Sequence, residues 1–139
     1  MRPWSLGLTA VLLVAGLCGC GDGVSGGDCL PELPTVEPAA VAAGAEVTVA
    51  STGFTCDARY DDERQYSLQM GFEGRAEPVD VGDVDVAADG SFTVTVTVPS
   101  TASPGSSAVS IRGSRYDEPC DDSSSCALYG ASFVVLPAA

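Results

Sequence analysis

The six cysteines are the side chains best suited to covalent chemistry, because the sequence contains no histidine, lysine or asparagine. A thiol can be acylated, can pair in a disulfide or can ligate a soft metal ion. Cys18 and Cys20 directly follow an apolar run near the N-terminus, whereas the other four are spread over the rest of the chain. The two groups therefore predict different chemistry.

The N-terminal segment has the features of an export signal. Arg2 is the only charged residue before Asp22, and Leu6 to Leu17 form a stretch without charge. That stretch is shorter than the roughly 20 apolar residues that a membrane-spanning helix needs. A basic start, a short apolar run and small residues at the cut are typical of a removable secretory signal.

The sequence Leu17-Cys18-Gly19-Cys20 resembles the bacterial lipoprotein signal, in which Leu stands three places before an acylated Cys and a small residue directly precedes it. Cys18 is an unusual residue at the middle place. The resemblance implies that residues 1–19 are a signal peptide and that Cys20 carries fatty chains. The chain would then be anchored to the cell membrane on its extracytoplasmic side. An ordinary secretory signal with free release is the alternative.

Four cysteines remain for pairing, namely Cys29, Cys56, Cys120 and Cys126. An even number in an exported chain of this size predicts two disulfides. We favour Cys29–Cys56 with Cys120–Cys126, because the second loop is short and closes at low entropic cost. Cys56–Cys120 with Cys29–Cys126 is the runner-up. A metal site is not expected from these thiols, because the chain has no CxxC pair and no histidine.

The charge of the chain restricts the classes of partner that it can bind. Asp and Glu number 19 against 6 Lys and Arg, so the formal net charge is −13. Such a surface repels nucleic acid and anionic lipid headgroups, and neither is expected as a partner. The membrane contact through Cys20 remains, together with an envelope protein, a glycan or a cationic ligand.

The missing residue types restrict catalysis. Without histidine or lysine, Ser-His-Asp and Cys-His catalysis, lysine Schiff bases and His-ligated zinc are excluded. A hydrolase with two carboxylates stays open. Since such a cleft usually needs a larger scaffold, the sequence favours a non-enzymatic binding or structural module without a cofactor. A small-ligand carrier and the carboxylate hydrolase are the alternatives.

The residues after the signal indicate a tether and one domain of short strands. Residues 20–34 are rich in Gly, Pro and Asp without a hydrophobic period, which predicts a tether. Residues 35–137 contain apolar residues that recur at every second position, most clearly from Ser91 to Val98. About seven such strands predict an all-β fold, an immunoglobulin-like two-sheet antiparallel β-sandwich. The alternating apolar residues shift from odd positions (Val79, Val81) to even positions (Val84, Val86) across Gly82-Asp83. This shift predicts a β-bulge or turn.

Two families share features with this domain. Gly53-Phe54, Asp89-Gly90-Ser91-Phe92 and Thr97-Val98-Pro99 resemble turns and strands of the immunoglobulin-like modules of bacterial surface proteins. The loop between Cys120 and Cys126 resembles, more weakly, the late disulfide loop of neocarzinostatin-type apoproteins. Both resemblances imply a β-sandwich and neither supplies a catalytic residue.

The loops between predicted strands place carboxylate, tyrosine and arginine side chains at one end of such a sandwich. Carboxylates in two of these loops could serve as calcium ligands, but the spaced EF-hand pattern is absent. No metal site is therefore predicted, and solvated loops held by disulfides are the favoured interpretation. The calcium candidates are Asp57, Asp61, Asp62, Asp117, Asp121 and Asp122. Tyr and Arg are enriched where proteins bind partners, so a contact surface is one interpretation of these residues. The alternative is that the Tyr rings cover the end of the sandwich core and the Arg residues pair with nearby acids. Its candidate residues are Arg59, Tyr60, Arg115 and Tyr116.

Overall fold

A computed structural model describes residues 29–117 and 128–139. Several of the expectations above fall outside these ranges, and they stay predictions. They are the signal peptide, the lipid on Cys20, the Cys120–Cys126 pair, and the calcium candidates Asp121 and Asp122.

The described residues form eight strands and one short 3-10 turn. The strands are β1 (Thr35–Glu37), β2 (Ala40–Ala42), β3 (Glu46–Ser51), β4 (Arg64–Phe72), β5 (Val79–Val86), β6 (Phe92–Thr97), β7 (Gly105–Arg112) and β8 (Gly130–Leu136), and the turn is Arg115–Asp117. In these ranges no helix has the length and apolar character to cross a bilayer.

The strands are arranged in two sheets, one with the order β1-β3-β6 and one with the order β2-β8-β7-β4-β5. The prediction of an all-β, two-sheet sandwich is confirmed. The neighbours are antiparallel except β2, which pairs parallel with β8.

Alternating side chains from both sheets fill the core. Val47 and Val49 of β3 lie beside Val96 and Val94 of β6 in the three-stranded sheet. Leu68 and Met70 of β4 face them from the other sheet and are fully buried. Each buried side chain of this kind contributes about 1.5–3 kcal/mol when it leaves water, and the threonines between them stay on the outer face. The period of two that was visible in the sequence therefore defines the core.

The β4–β5 pairing contains the irregularity that the parity change predicts. Leu68 lies opposite Gly82 and Gln69 lies opposite Asp80, so Val81 is an extra residue on β5. This bulge returns Val84 and Val86 to the inner side of the sheet.

The first strand crosses between the sheets at Pro38. Its first half, β1, pairs with β3, and its second half, β2, pairs with β8 on the other sheet. The Glu37–Pro38 peptide bond between the two halves is cis. The sequence pattern predicts neither this strand nor its division between the two sheets.

The strands run between two ends of the sandwich. We call one end the cysteine-rich pole, formed by residues 29–33, 52–63, 87–91, 113–117 and 128–129. The opposite pole consists of the loops 43–45, 73–78 and 98–104. Antiparallel pairing fixes this division, since Ser51 lies opposite Phe92 at one end and Glu46 opposite Thr97 at the other.

Candidate functional site

The cysteine-rich pole is the part of the described structure where the predicted site residues meet, and the segment that begins at Cys29 is fixed to it. Cys29 forms a disulfide with Cys56, which confirms the first half of the favoured pairing. Pro31 is fully buried and forms a bridge with Phe54. The backbone N–H of Glu32 donates to the carbonyl of Gly53 at 2.8 Å. Residues 29–34, which the sequence placed in the tether, thus contact the domain directly.

Two tyrosines hold the carbonyl groups of this segment. The Tyr116 hydroxyl donates to the Pro31 carbonyl at 2.9 Å, and the Tyr129 hydroxyl donates to the Glu32 carbonyl at 3.1 Å. The two rings are stacked, with centroids 4.7 Å apart. Their hydroxyl groups satisfy backbone carbonyls that the sheets leave unpaired, as buried polar groups require.

A second pair of tyrosines lies deeper in the pole. The hydroxyls of Tyr60 and Tyr66 are hydrogen-bonded at 2.6 Å in a buried position. The Tyr66 ring makes edge contacts with Tyr60, Phe92 and Tyr129, at centroid distances between 5.6 and 6.3 Å. Such edge-to-face pairs add about 0.5–1.5 kcal/mol each beyond the area they bury. The rings therefore close this end of the core.

Two arginines cover the aromatic cluster from outside. The Arg115 guanidinium donates to the carbonyls of Cys29 at 3.3 Å and Arg59 at 3.1 Å, and it lies 4.9 Å from the ring centroid of Phe54. The Arg64 guanidinium lies 4.1 Å from the ring centroid of Tyr60. Both contacts have the geometry of cation–π interactions.

Burial shifts the acidity of these tyrosines. Burial is the main cause that raises the pKa of Tyr129 to about 12, and it also raises the pKa of Tyr66 strongly. The hydrogen bond with Tyr60 raises the pKa of Tyr66 further, because it favours the neutral hydroxyl. At neutral pH these phenols are protonated, so they act as hydrogen-bond donors and not as bases.

The structure brings the four candidate contact residues together, and most of them are engaged inside the molecule. Tyr60 is only 6% exposed, and Tyr116 and Arg115 are half-buried by the contacts described above. Arg59 is exposed. The sequence named the right residues for the pole, but residue type alone could not distinguish a ring that closes a core from one that meets a partner.

The carboxylates are distributed over the surface. All 14 Asp and Glu of the described residues are exposed. In these ranges no three His, Cys, Asp or Glu residues are grouped so that they could hold a metal ion. The calcium candidates in these ranges therefore do not include three residues that could ligate one ion; they are Asp57, Asp61, Asp62 and Asp117.

Asp89 has a different role from the other carboxylates. It accepts hydrogen bonds from the Ser91 hydroxyl at 2.6 Å and from the Ser91 backbone N–H at 3.0 Å. These bonds lower the pKa of Asp89 and hold the turn between β5 and β6, as an Asx turn does. The sequence predicts a hairpin turn at Ala88-Asp89-Gly90; the turn is present, but it is not a β-hairpin, because β5 and β6 belong to different sheets.

A hollow of about 450 Å³ opens at the edge of the cysteine-rich pole, lined by Glu63, Arg64, Gln65, Asp85 and Val86. The Gln65 amide donates to Asp85 at 3.2 Å across it. Its lining is mainly polar, unlike the apolar cleft that the small-ligand carrier requires.

Comparison with known proteins gives a likeness of fold only. No family model matches the sequence, and no curated protein matches it. Among solved structures, the chain is similar to superoxide reductase (neelaredoxin) from Ignicoccus hospitalis, at 19% identity and a TM-score of 0.44 over 76% of this chain and 80% of that one. A variant of the same protein gives 20% identity and a TM-score of 0.45 over 84% and 86%.

These structures belong to enzymes, and this finding contradicts the prediction of a non-enzymatic binding or structural module. We withdraw that prediction and, with it, the small-ligand carrier, which is non-enzymatic as well. At this identity and TM-score the likeness assigns no reaction, metal or substrate to this chain.

Proposed function

We propose that the chain is an exported lipoprotein, anchored to the extracytoplasmic side of the cell membrane through Cys20, whose acidic domain attracts a cationic envelope partner. Three kinds of support carry the proposal: the signal-like residues around Cys20, a disulfide in the folded domain and the distribution of charge.

The Cys29–Cys56 disulfide is the observation that carries the location. Disulfides form and persist in oxidising compartments and are rare in the cytosol. A domain that uses one to fix its first described residues is suited to the outside of the cytoplasmic membrane. Cys20 lies only nine positions before Cys29, so an acyl group there would keep the domain close to the bilayer.

The order of the strands supports an immunoglobulin-like module as the finer assignment. The sheet β1-β3-β6 faces a sheet that contains β8-β7-β4 as neighbours. Immunoglobulin-type sandwiches divide their first, second and fifth strands from their third, sixth and seventh in the same way. β5 then extends the second sheet beyond β4, as in variable-type domains.

The exposed carboxylates support a cationic partner. The described residues contain 14 Asp and Glu against five Arg. Within these ranges two ion pairs are present, Arg64–Asp62 at 3.8 Å and Arg112–Asp117 at 3.6 Å. Most of the acidic surface is thus free to attract positive charge over about one Debye length, roughly 8–10 Å at physiological salt.

The anchor is tested by two substitutions that lie two positions apart. We expect the Cys20→Ala protein to be lost from the lipid-modified membrane fraction, because it has no acceptor thiol. Cys18→Ala is the matched control and should fractionate with the wild type. Labelling with a radioactive fatty acid reports the modification itself. Equal labelling of the Cys20→Ala protein and the wild type would refute the anchor.

The charge preference is tested by covalent crosslinking of the full chain in envelope fractions. Because the attraction is electrostatic, crosslinked partners should carry basic surfaces and should decrease when the salt concentration rises. Partners that are acidic, or whose yield does not depend on salt, would contradict a cationic partner.

A further inference from the structure

The cysteine-rich pole carries an exposed apolar pair. Leu33 and Leu128 are each 58% exposed, the highest values among the large hydrophobic residues described. Leu33 follows Glu32, Leu128 precedes Tyr129, and the Tyr129 hydroxyl donates to the Glu32 carbonyl at 3.1 Å. That hydrogen bond places the two leucines on the same end of the molecule.

The same pole receives the chain that comes from Cys20. The disulfide to Cys56 and the Arg115 bond to its carbonyl hold Cys29 at this end. The nine steps from Cys20 to Cys29 span at most about 31 Å when fully extended.

The opposite pole is farther from this attachment point. Strand β4 has nine residues and runs from one pole to the other, so the two ends are separated by about 30 Å. A domain that is held by the cysteine-rich pole can therefore keep its opposite pole well away from the bilayer.

We propose that the cysteine-rich pole lies against an uncharged lipid headgroup surface, that Leu33 and Leu128 enter the interface, and that the opposite pole projects outward. This inference rests on the proposed lipid on Cys20. Two partly inserted leucines supply only a weak attraction by themselves, and the anchor provides the proximity.

The orientation assigns separate roles to the two ends of the sandwich. In this orientation the loops 73–78 and 98–104 at the opposite pole face away from the bilayer, whereas the residues around Tyr60 and Tyr116 face lipid. The cysteine-rich pole carries the exposed carboxylates Asp57, Asp61 and Asp62. They make the contact unfavourable on an anionic bilayer, so an uncharged headgroup surface is the one that fits.

The test uses tryptophan fluorescence, because Trp4 is the single tryptophan and lies in the predicted signal peptide. Asp57→Trp reports on the cysteine-rich pole and Glu77→Trp on the opposite pole. Both replace an exposed acidic residue, so the change in charge is matched. The full lipidated protein is purified from membranes and inserted into phosphatidylcholine vesicles that contain a dansyl-headgroup lipid.

Energy transfer to the dansyl lipid should be at least about threefold stronger from position 57 than from position 77, because the two poles are about 30 Å apart. Equal transfer would mean that the domain lies on its side, and stronger transfer from position 77 would mean that it is inverted. Either result overturns the orientation. Flotation with the vesicles is measured first: its loss refutes the anchor, whereas flotation with equal transfer refutes the orientation alone.

The leucines are tested in the Asp57→Trp protein. Leu33→Thr with Leu128→Thr should reduce the transfer by about twofold, because the apolar contact with the interface is lost. Val134→Thr with Leu136→Thr is the matched control, since these residues are 44% and 45% exposed on β8. The control should leave the transfer unchanged. An equal effect of both pairs would contradict the contact through Leu33 and Leu128.

Discussion

At the scale of single residues, the chemistry of this domain is dominated by protonated tyrosines whose hydroxyls are satisfied inside the pole. Tyr66 and Tyr129 are almost completely buried, and each hydroxyl has a hydrogen-bond partner. Their types could be read from the sequence. Their burial could not, because the same Tyr and Arg composition is typical of contact surfaces and of closed sandwich ends.

The Tyr60–Tyr66 pair predicts a strongly non-additive effect on stability. Tyr66→Phe leaves the buried Tyr60 hydroxyl without its partner and should lower the free energy of unfolding by about 1–3 kcal/mol. Tyr60→Phe should behave similarly. The double variant should be closer to the wild type than the sum of the two losses, because no unpaired hydroxyl remains. Urea unfolding of all four proteins measures this, and simple additivity would contradict a direct pair.

Tyr129 predicts a loss of stability at alkaline pH. Its pKa is raised from 10.0 to about 12 in the folded protein, mainly by burial. Below pH 10 both the folded and the unfolded state hold the proton, so the contribution is complete. Above pH 10 the unfolded state releases it first, and the free energy of unfolding falls by up to about 1.4 kcal/mol per pH unit until the folded pKa is reached.

Tyr129→Phe is the matched variant for this prediction, since it removes the titrating hydroxyl and keeps the ring. The decrease in unfolding free energy between pH 10 and 12 should be smaller than in the wild type, although its stability at pH 7 is lower by the lost bond to Glu32. Urea unfolding at several pH values gives both slopes. Identical slopes would show that Tyr129 does not titrate in this way.

At the scale of elements, strands with regular alternation were predictable and segments without it were not. The alternation of apolar and polar residues predicted β3, β4 and β6. The shift of the apolar residues from odd to even positions predicted the bulge on β5. The favoured Cys29–Cys56 pairing implied that this segment reaches the domain at Cys29, but the contacts of residues 30–34 could not be foreseen, because Gly- and Pro-rich sequence has no periodicity. The crossing of the first strand at Pro38 depends on pairing with two distant strands, which no local pattern contains.

The turns at the two poles predict different costs for glycine substitution. Gly53 has a φ of +83°, and an added Cβ would collide with the backbone of Asp89 and Ser91. Gly74 at the opposite pole has a φ of +77°, and nothing lies within 4 Å of an added Cβ. Gly74→Ala should therefore cost about 1 kcal/mol from the left-handed conformation alone.

Gly53→Ala should cost clearly more, about 2–4 kcal/mol, because the backbone must also move. Thermal or urea unfolding of both variants compares the two positions. Equal costs would indicate that residues 53 and 89–91 do not approach each other as closely as described.

At the scale of the whole molecule, the proposed architecture is an acidic domain that is joined to a membrane through one end. The net charge of −13 is visible in the sequence, and the structure places every described carboxylate on the surface. The sequence alone predicts an acidic, exported chain but does not indicate which pole would face a bilayer. The proposed orientation rests on the position of Cys29, which its disulfide and the Arg115 hydrogen bond hold at the cysteine-rich pole.

The lipid on Cys20 is the central claim, and the mass of the N-terminal peptide tests it most directly. The protein is isolated from membranes and digested, and the first peptide is identified by mass spectrometry. We predict that it begins at Cys20 and carries a diacylglyceryl group in thioether linkage. A chain that begins elsewhere, or an unmodified Cys20, would contradict the anchor and the orientation that follows from it.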